Sequence, residues 1–176
     1  IVLAIDRSQS MRGRPLGDAV AAAQAFVDAA GANDHVGVVV FGHAALALTP
    51  SSASPADARS ALGSLTVDSR SGTALYDAVY LAGQRLGEMP SSLGQRRVLV
   101  LITDGENTTR HGSYDTALEQ AERAGAMVYS LIIVPVEADA GRNTGGEHSL
   151  IQMARDTGGK YYYVEDRRDL TPTFAN

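Results

Sequence analysis

The chain has 176 residues, 15 Lys and Arg against 20 Asp and Glu, a formal net charge of −5 and a pI near 5.3. That length suits one domain with a sizeable core, and the acidic balance, with no basic run beyond the pairs Arg96, Arg97 and Arg167, Arg168, argues against nucleic acid or an anionic membrane surface as partner. Cysteine is absent, which excludes a disulfide framework and a thiol nucleophile, and no apolar run approaches the roughly 20 residues that span a bilayer.

Residues 1–10, IVLAIDRSQS, read as a buried strand whose end opens into a polar loop bearing Asp6, Ser8 and Ser10. Carboxylate and hydroxyl oxygens suit a hard divalent cation, Mg²⁺, Mn²⁺ or Ca²⁺, and no Cys or nearby His points to zinc or copper. Leu16, Val20, Ala23, Phe26, Val27 and Ala30 recur at helical spacing and predict a helix over 15–30, with Pro15 in the first turn and Gly31 as a stop. Residues 36–41 are nearly all Val, a strand covered on both faces, and 44–48 predict a short strand turning back beside it.

Ser, Pro and Ala dominate 49–60, a loop leading into a short helix that ends near Gly63. Leu75, Ala78, Val79, Ala82 and Leu86 then place a helix over 73–86, with Ser71, Gly72 and Thr73 at its N-terminus. An apolar strand over 98–102 runs into Thr103, Asp104 and Gly105, a helix over 114–124 is closed by Gly125, and a strand over 127–134 by Pro135. Residues 137–147 are polar, Gly-rich and aperiodic, the mark of a functional or mobile loop. A helix over 150–156, an edge strand over 160–164 and the start of a further helix over 169–176 complete the chain, whose abrupt beginning inside a strand predicts a single domain, 1–176, excised from a longer protein.

Apolar strands alternating with amphipathic helices predict an α/β, doubly wound, Rossmann-like fold: a mainly parallel sheet in order 3-2-1-4-5-6, one short antiparallel edge strand, and helices on both faces. In that order the strands ending in Asp6 and Asp104 are neighbours at the point where the winding reverses, where such sheets bind ligands. The helix before the second of them delivers Thr73 to the same place.

Asp6, Ser8 and Ser10 as D-x-S-x-S, Thr73 in SGTALYDA and Asp104 in ITDGEN together resemble the von Willebrand factor A domain and its metal-ion-dependent adhesion site. The resemblance covers nearly the whole chain and implies direct metal ligation by Ser8 and Ser10, ligation by Thr73 directly or through water, and Asp6 and Asp104 acting mostly through water or as hydrogen-bond acceptors. It implies a divalent cation, Mg²⁺ first, with an open position for an Asp or Glu carboxylate of a protein partner, on a monomeric, non-enzymatic binding domain. The likeness to adhesive and surface proteins implies an extracytoplasmic setting, and the Ala, Gly and Arg usage is compatible with a bacterial source. Two departures stand out: Gln9 replaces the Gly that many members carry between the serines, removing a permissive residue from a tight loop, and the family's C-terminal switching helix is truncated or absent.

Loop residues Arg7, Arg70, Glu106, Asn107 and His111 fall near this site and form a candidate rim for the partner, although solvated loop residues are the default. Asp77 suits the helix dipole better than a ligand role. Asn107, Thr108 and Thr109 match a glycosylation sequon by chance, the tyrosines at 161–163 suit packing on a strand better than stacking on nucleic acid, and His35, His43 and His148 show no ligand spacing. Two other classes compete: an assembly domain of a larger machine such as a chelatase-type ATPase, and Mg²⁺-dependent phosphoryl transfer with Asp6 as nucleophile. The second lacks an acid two residues on, where Ser8 stands.

Overall fold

The computed structural model describes residues 1–31, 33–89, 95–133 and 144–164. Strands β1 (Val2–Asp6), β2 (Gly37–Phe41), β3 (Ala45–Ala47), β4 (Arg97–Thr103), β5 (Ala126–Ile133) and β6 (Tyr161–Val164) form one sheet in order β3-β2-β1-β4-β5-β6. All neighbouring pairs are parallel except β2 with β3. Helices α1 (Arg14–Ala29), α2 (Pro55–Gly63), α3 (Leu75–Glu88), α4 (Tyr114–Arg123) and α5 (Thr144–Asp156) supply the crossovers. The predicted fold class and strand order are the ones observed.

The alternation of strand side chains explains why the central strands are apolar throughout. Val2 and Ala4 of β1, Val39 and Phe41 of β2 and Leu99 and Leu101 of β4 face one way, onto Leu75, Val79 and Leu86 of α3, Ala117 of α4 and Leu150 of α5. Leu3, Ile5, Val38, Val40, Val100 and Ile102 face the other way, onto Leu16, Ala19 and Val27 of α1 and Ala58 and Leu62 of α2. With helices on both sides, every residue of β1 and β2 and of β4 from Leu99 on is buried, and each large apolar side chain contributes roughly 1.5–3 kcal/mol.

Two helices begin earlier than the sequence pattern predicts. Helix α2 starts at Pro55 because Ser54 forms a capping box with Asp57, which outweighs the loop-like composition. Helix α5 starts at Thr144, six residues before the predicted start, and takes in Gly145 and Gly146. A Cβ on Gly146 would stand 2.9 Å from the Glu106 Cα, so the glycine is there for close approach to the loop after β4 and not to break the helix. The rest of the predicted 137–147 loop up to residue 143, Val134, and the expected C-terminal helix start at 169–176 lie outside the described residues.

β1 and β4 lie side by side in parallel, from Val2 beside Leu99 to Ile5 beside Ile102, so their carboxyl ends open together. Phe41 ends β2 beside Asp6 and is wholly buried. Phe41→Ala is expected to destabilise the fold by about 3–5 kcal/mol in urea unfolding; a loss below about 1 kcal/mol would show that this side chain does not support the sheet's end.

Candidate metal centre

The geometry begins with the last residue of β1. Asp6 is wholly buried, and each carboxylate oxygen has a defined donor: the Ser8 backbone N–H at 2.8 Å on Oδ1 and the Thr103 hydroxyl at 2.6 Å on Oδ2. Thr103 also accepts from the Gly105 N–H at 3.1 Å, so one hydroxyl joins the ends of β1 and β4 and shapes the turn carrying Asp104. After Asp6 the chain makes a single 3₁₀ turn, Gln9–Met11, anchored by the fully buried Met11. Gln9 is accommodated there in an ordinary backbone conformation, since among the described residues only glycines have positive φ, and its Nε2 donates to the Ser69 carbonyl.

This turn brings the hydroxyls into line. Ser10 donates to Asp104 Oδ1 at 3.0 Å, which leaves Ser8 to donate to Ser10 at 3.1 Å. Thr73 comes from a third direction and is only 8 % exposed. Its N–H donates to the Thr108 hydroxyl at 2.8 Å and its carbonyl accepts from the Thr108 N–H at 3.0 Å, clamping it to the loop after β4. Its own hydroxyl makes no hydrogen bond to another described residue.

Burial raises the Asp6 pKa to about 6 against the opposing hydrogen bonds from Thr103 and Ser8, and the nearby Asp104 charge adds to the rise. Burial raises Asp104 too, against its bond from Ser10. A cation beside the pair is the group that offsets both effects. Among the described residues no three His, Cys, Asp or Glu converge, so the oxygens on offer at this end of the sheet are mainly hydroxyls and two carboxylates.

The candidate rim residues divide by what already holds them. Arg70 is exposed but forks onto Asp68, and Glu106 and His111 are exposed. Arg7 is half-buried, and its Nε has no hydrogen-bond partner among the described residues. Asn107 is half-buried with its amide engaged: Oδ1 accepts from the Tyr76 N–H at 3.3 Å, capping α3 from another loop, and Nδ2 donates to the Thr109 carbonyl at 2.7 Å. Asp77 sits in the first turn of α3, as its dipole role requires. Thr103, Thr108 and Asp68 were not singled out as site residues from the sequence, and the one signal for any of them was the position of Thr103 directly before Asp104.

A family model for the von Willebrand factor type A domain matches residues 1–106. Among curated proteins, human calcium-activated chloride channel regulator 4 is 30% identical over 95 residues, 54% of this chain; the match spans 9% of that much longer relative. Among solved structures, an aerotolerance-related membrane protein from Bacteroides fragilis is 25% identical, with a TM-score of 0.75 over 99% of this chain and 95% of that one. Proximal thread matrix protein 1 from the mussel byssus, solved with a zinc-occupied metal-ion-dependent adhesion motif, shares the fold at 19% identity, with a TM-score of 0.72 over 99% of this chain and 43% of that one. Among the described residues of this chain, no helix is long and apolar enough to cross a membrane.

Thr108→Val keeps the shape of the side chain but leaves the Thr73 N–H without its acceptor. It is expected to cost about 1–3 kcal/mol in chemical unfolding and to speed hydrogen exchange at the Thr73 amide; unchanged exchange would show that the two loops are not clamped here.

Proposed function

We propose, from the premise that the chain belongs to the von Willebrand factor type A domain family, a divalent-cation site that captures an acidic side chain of a protein partner. The family consists of general protein-interaction modules, typically without enzymatic activity, and the metal-dependent capture is the finer reading advanced for this member. The observation that carries it is the convergence of two hydroxyls on a buried acidic strand end. Ser8 Oγ and Ser10 Oγ stand 3.1 Å apart, close to the roughly 3.0 Å between adjacent ligands around an octahedral Mg²⁺ at about 2.1 Å, and Ser10 donates to Asp104 Oδ1 at 3.0 Å. That spacing supports direct ligation by the two serines, with Asp104 beside them.

In this reading Ser8 and Ser10 ligate directly, Thr73 offers its free hydroxyl directly or through water, and Asp6 and Asp104 accept from coordinated waters. Hydroxyl ligands leave the cation's charge largely uncompensated, and an exposed position then favours a carboxylate from outside. Mg²⁺ is the first candidate, Mn²⁺ and Ca²⁺ follow, and the zinc in the mussel protein's motif adds Zn²⁺ to the ions worth testing. Arg7, Arg70, Glu106, Asn107 and His111 form the proposed rim. The membrane-protein neighbour supports an extracytoplasmic setting. Phosphoryl transfer from Asp6 is disfavoured because both its oxygens are engaged and the residue two positions on is a serine.

Calorimetric titration of Mg²⁺, Mn²⁺, Ca²⁺ and Zn²⁺ into chelator-treated protein tests the site. Binding to the wild type is expected, reduced at least about 10-fold in Ser10→Ala and Thr73→Ala with the circular dichroism spectrum unchanged. Asp6→Ala is expected to abolish binding. No ion bound by the wild type, or equal affinity in all three variants, sinks the proposal.

A further inference from the structure

The residues of the metal site do not explain a second buried acid nearby. Asp68 lies in the loop between α2 and α3 and is only 6 % exposed, yet it belongs to no helix, strand or ligand pattern. Its carboxylate collects four donors: Oδ1 takes the Arg70 N–H at 3.1 Å and Arg70 Nε at 3.0 Å, and Oδ2 takes an Arg70 terminal nitrogen at 3.1 Å and the His43 N–H at 3.3 Å. The side-chain and backbone bonds from Arg70 hold it well below the usual carboxylate range. The residue opposite has no side chain: a Cβ on Gly42 would stand 2.8 Å from the Asp68 Cβ.

The consequences run to Thr73. Gly42 accepts the Ala74 N–H at 2.7 Å, and the His43 ring Nδ1 lies 3.0 Å from the Ser71 carbonyl, so the turn after β2 grips the chain on both sides of Thr73. Asp68 fixes that turn from below through the His43 amide, while its own N–H donates to the Arg7 carbonyl at 2.7 Å, beside the serine loop. One residue therefore links three segments: its backbone N–H holds the Asp6–Ser10 loop, and its carboxylate joins the turn after β2 to Arg70 in the loop that leads to Thr73.

We propose that Asp68 is a positioning residue for the metal site: with Arg70 and the Gly42–His43 turn it latches the loop that presents the Thr73 hydroxyl. The inference rests on the metal reading only for its effect on affinity; the latch itself exists without an ion. Replacing one carboxylate oxygen by an amide N–H sets a donor against the Arg70 and His43 donors, so Asp68→Asn opens the latch at constant size.

The test compares the full chain with Asp68→Asn, Arg70→Ala, Arg70→Lys and, as a control at the opposite end of the sheet, Arg97→Ala, which removes bonds to the Ala124 and Met89 carbonyls. Two readouts are taken: calorimetric Mn²⁺ affinity, and amide hydrogen exchange at Thr73 and Ala74 in metal-free protein. Asp68→Asn is expected to weaken Mn²⁺ binding about 10-fold and to speed exchange at both amides by a similar factor, with β1 and β4 amides unchanged. Arg70→Ala gives a smaller change in the same direction, keeps the test open where Asp68→Asn does not fold, and is partly rescued in Arg70→Lys. Unchanged exchange at Thr73 and Ala74, or an equal effect from Arg97→Ala, overturns the proposal. A wild type that binds no Mn²⁺ while Asp68→Asn still frees these two amides sinks the metal reading and leaves the latch standing.

Discussion

Everything at the functional end of this molecule depends on how Asp6 is buried. A carboxylate at the end of a central parallel strand, beneath two loops, is costly unless both oxygens find donors. The donors come from two directions, the Ser8 amide two residues on and the Thr103 hydroxyl across the sheet. Satisfying the acid therefore bends the first loop back over its own strand and ties it to β4. Ser8, Ser10 and Asp104 fall into one row as a consequence of that accommodation.

The site is built from loops yet is braced like a sheet. Thr73 exchanges two hydrogen bonds with Thr108, Asn107 caps α3 from a different loop, and Gln9 reaches Ser69. Each of these bonds joins segments far apart in sequence, so no loop can move without breaking a bond to another. In the proposed metal site, such cross-bracing would orient the neutral hydroxyl ligands before an ion arrives.

What was legible in the sequence follows from the range of the forces involved. The strand order and layers were readable because continuous apolar runs such as those of β1 and β4 admit only a sheet covered on both faces, and parallel crossovers prune the topologies. Asp6, Ser8, Ser10, Thr73 and Asp104 were readable as a pattern, and the fold brings the ends that carry them together. The start of α5 was not, because Gly145 and Gly146 look like helix breakers until Glu106 is seen against Gly146. Asp68 was invisible for a related reason: its meaning comes from His43 and from a glycine at position 42, neither of which has a local signature linking it to a loop residue some twenty-five positions on.

The substitution of Gln for Gly at position 9 shows how much of this loop is set by its anchors. A glycine is required only where φ is positive or space is lacking, and the Gln9–Met11 turn needs neither. Its entry is fixed by the Ser8 amide on Asp6, its exit by Met11 in the core, and its flank by the Gln9 amide on Ser69. The longer side chain adds a tie to the loop that carries Asp68 and, five residues later, Thr73. With the Asp68 N–H on the Arg7 carbonyl, it gives the serine loop and the threonine loop a second direct bond that a glycine at position 9 could not make. In the proposed function, a partner's carboxylate would meet oxygens that are already in position, with the ordering cost that otherwise opposes binding met during folding.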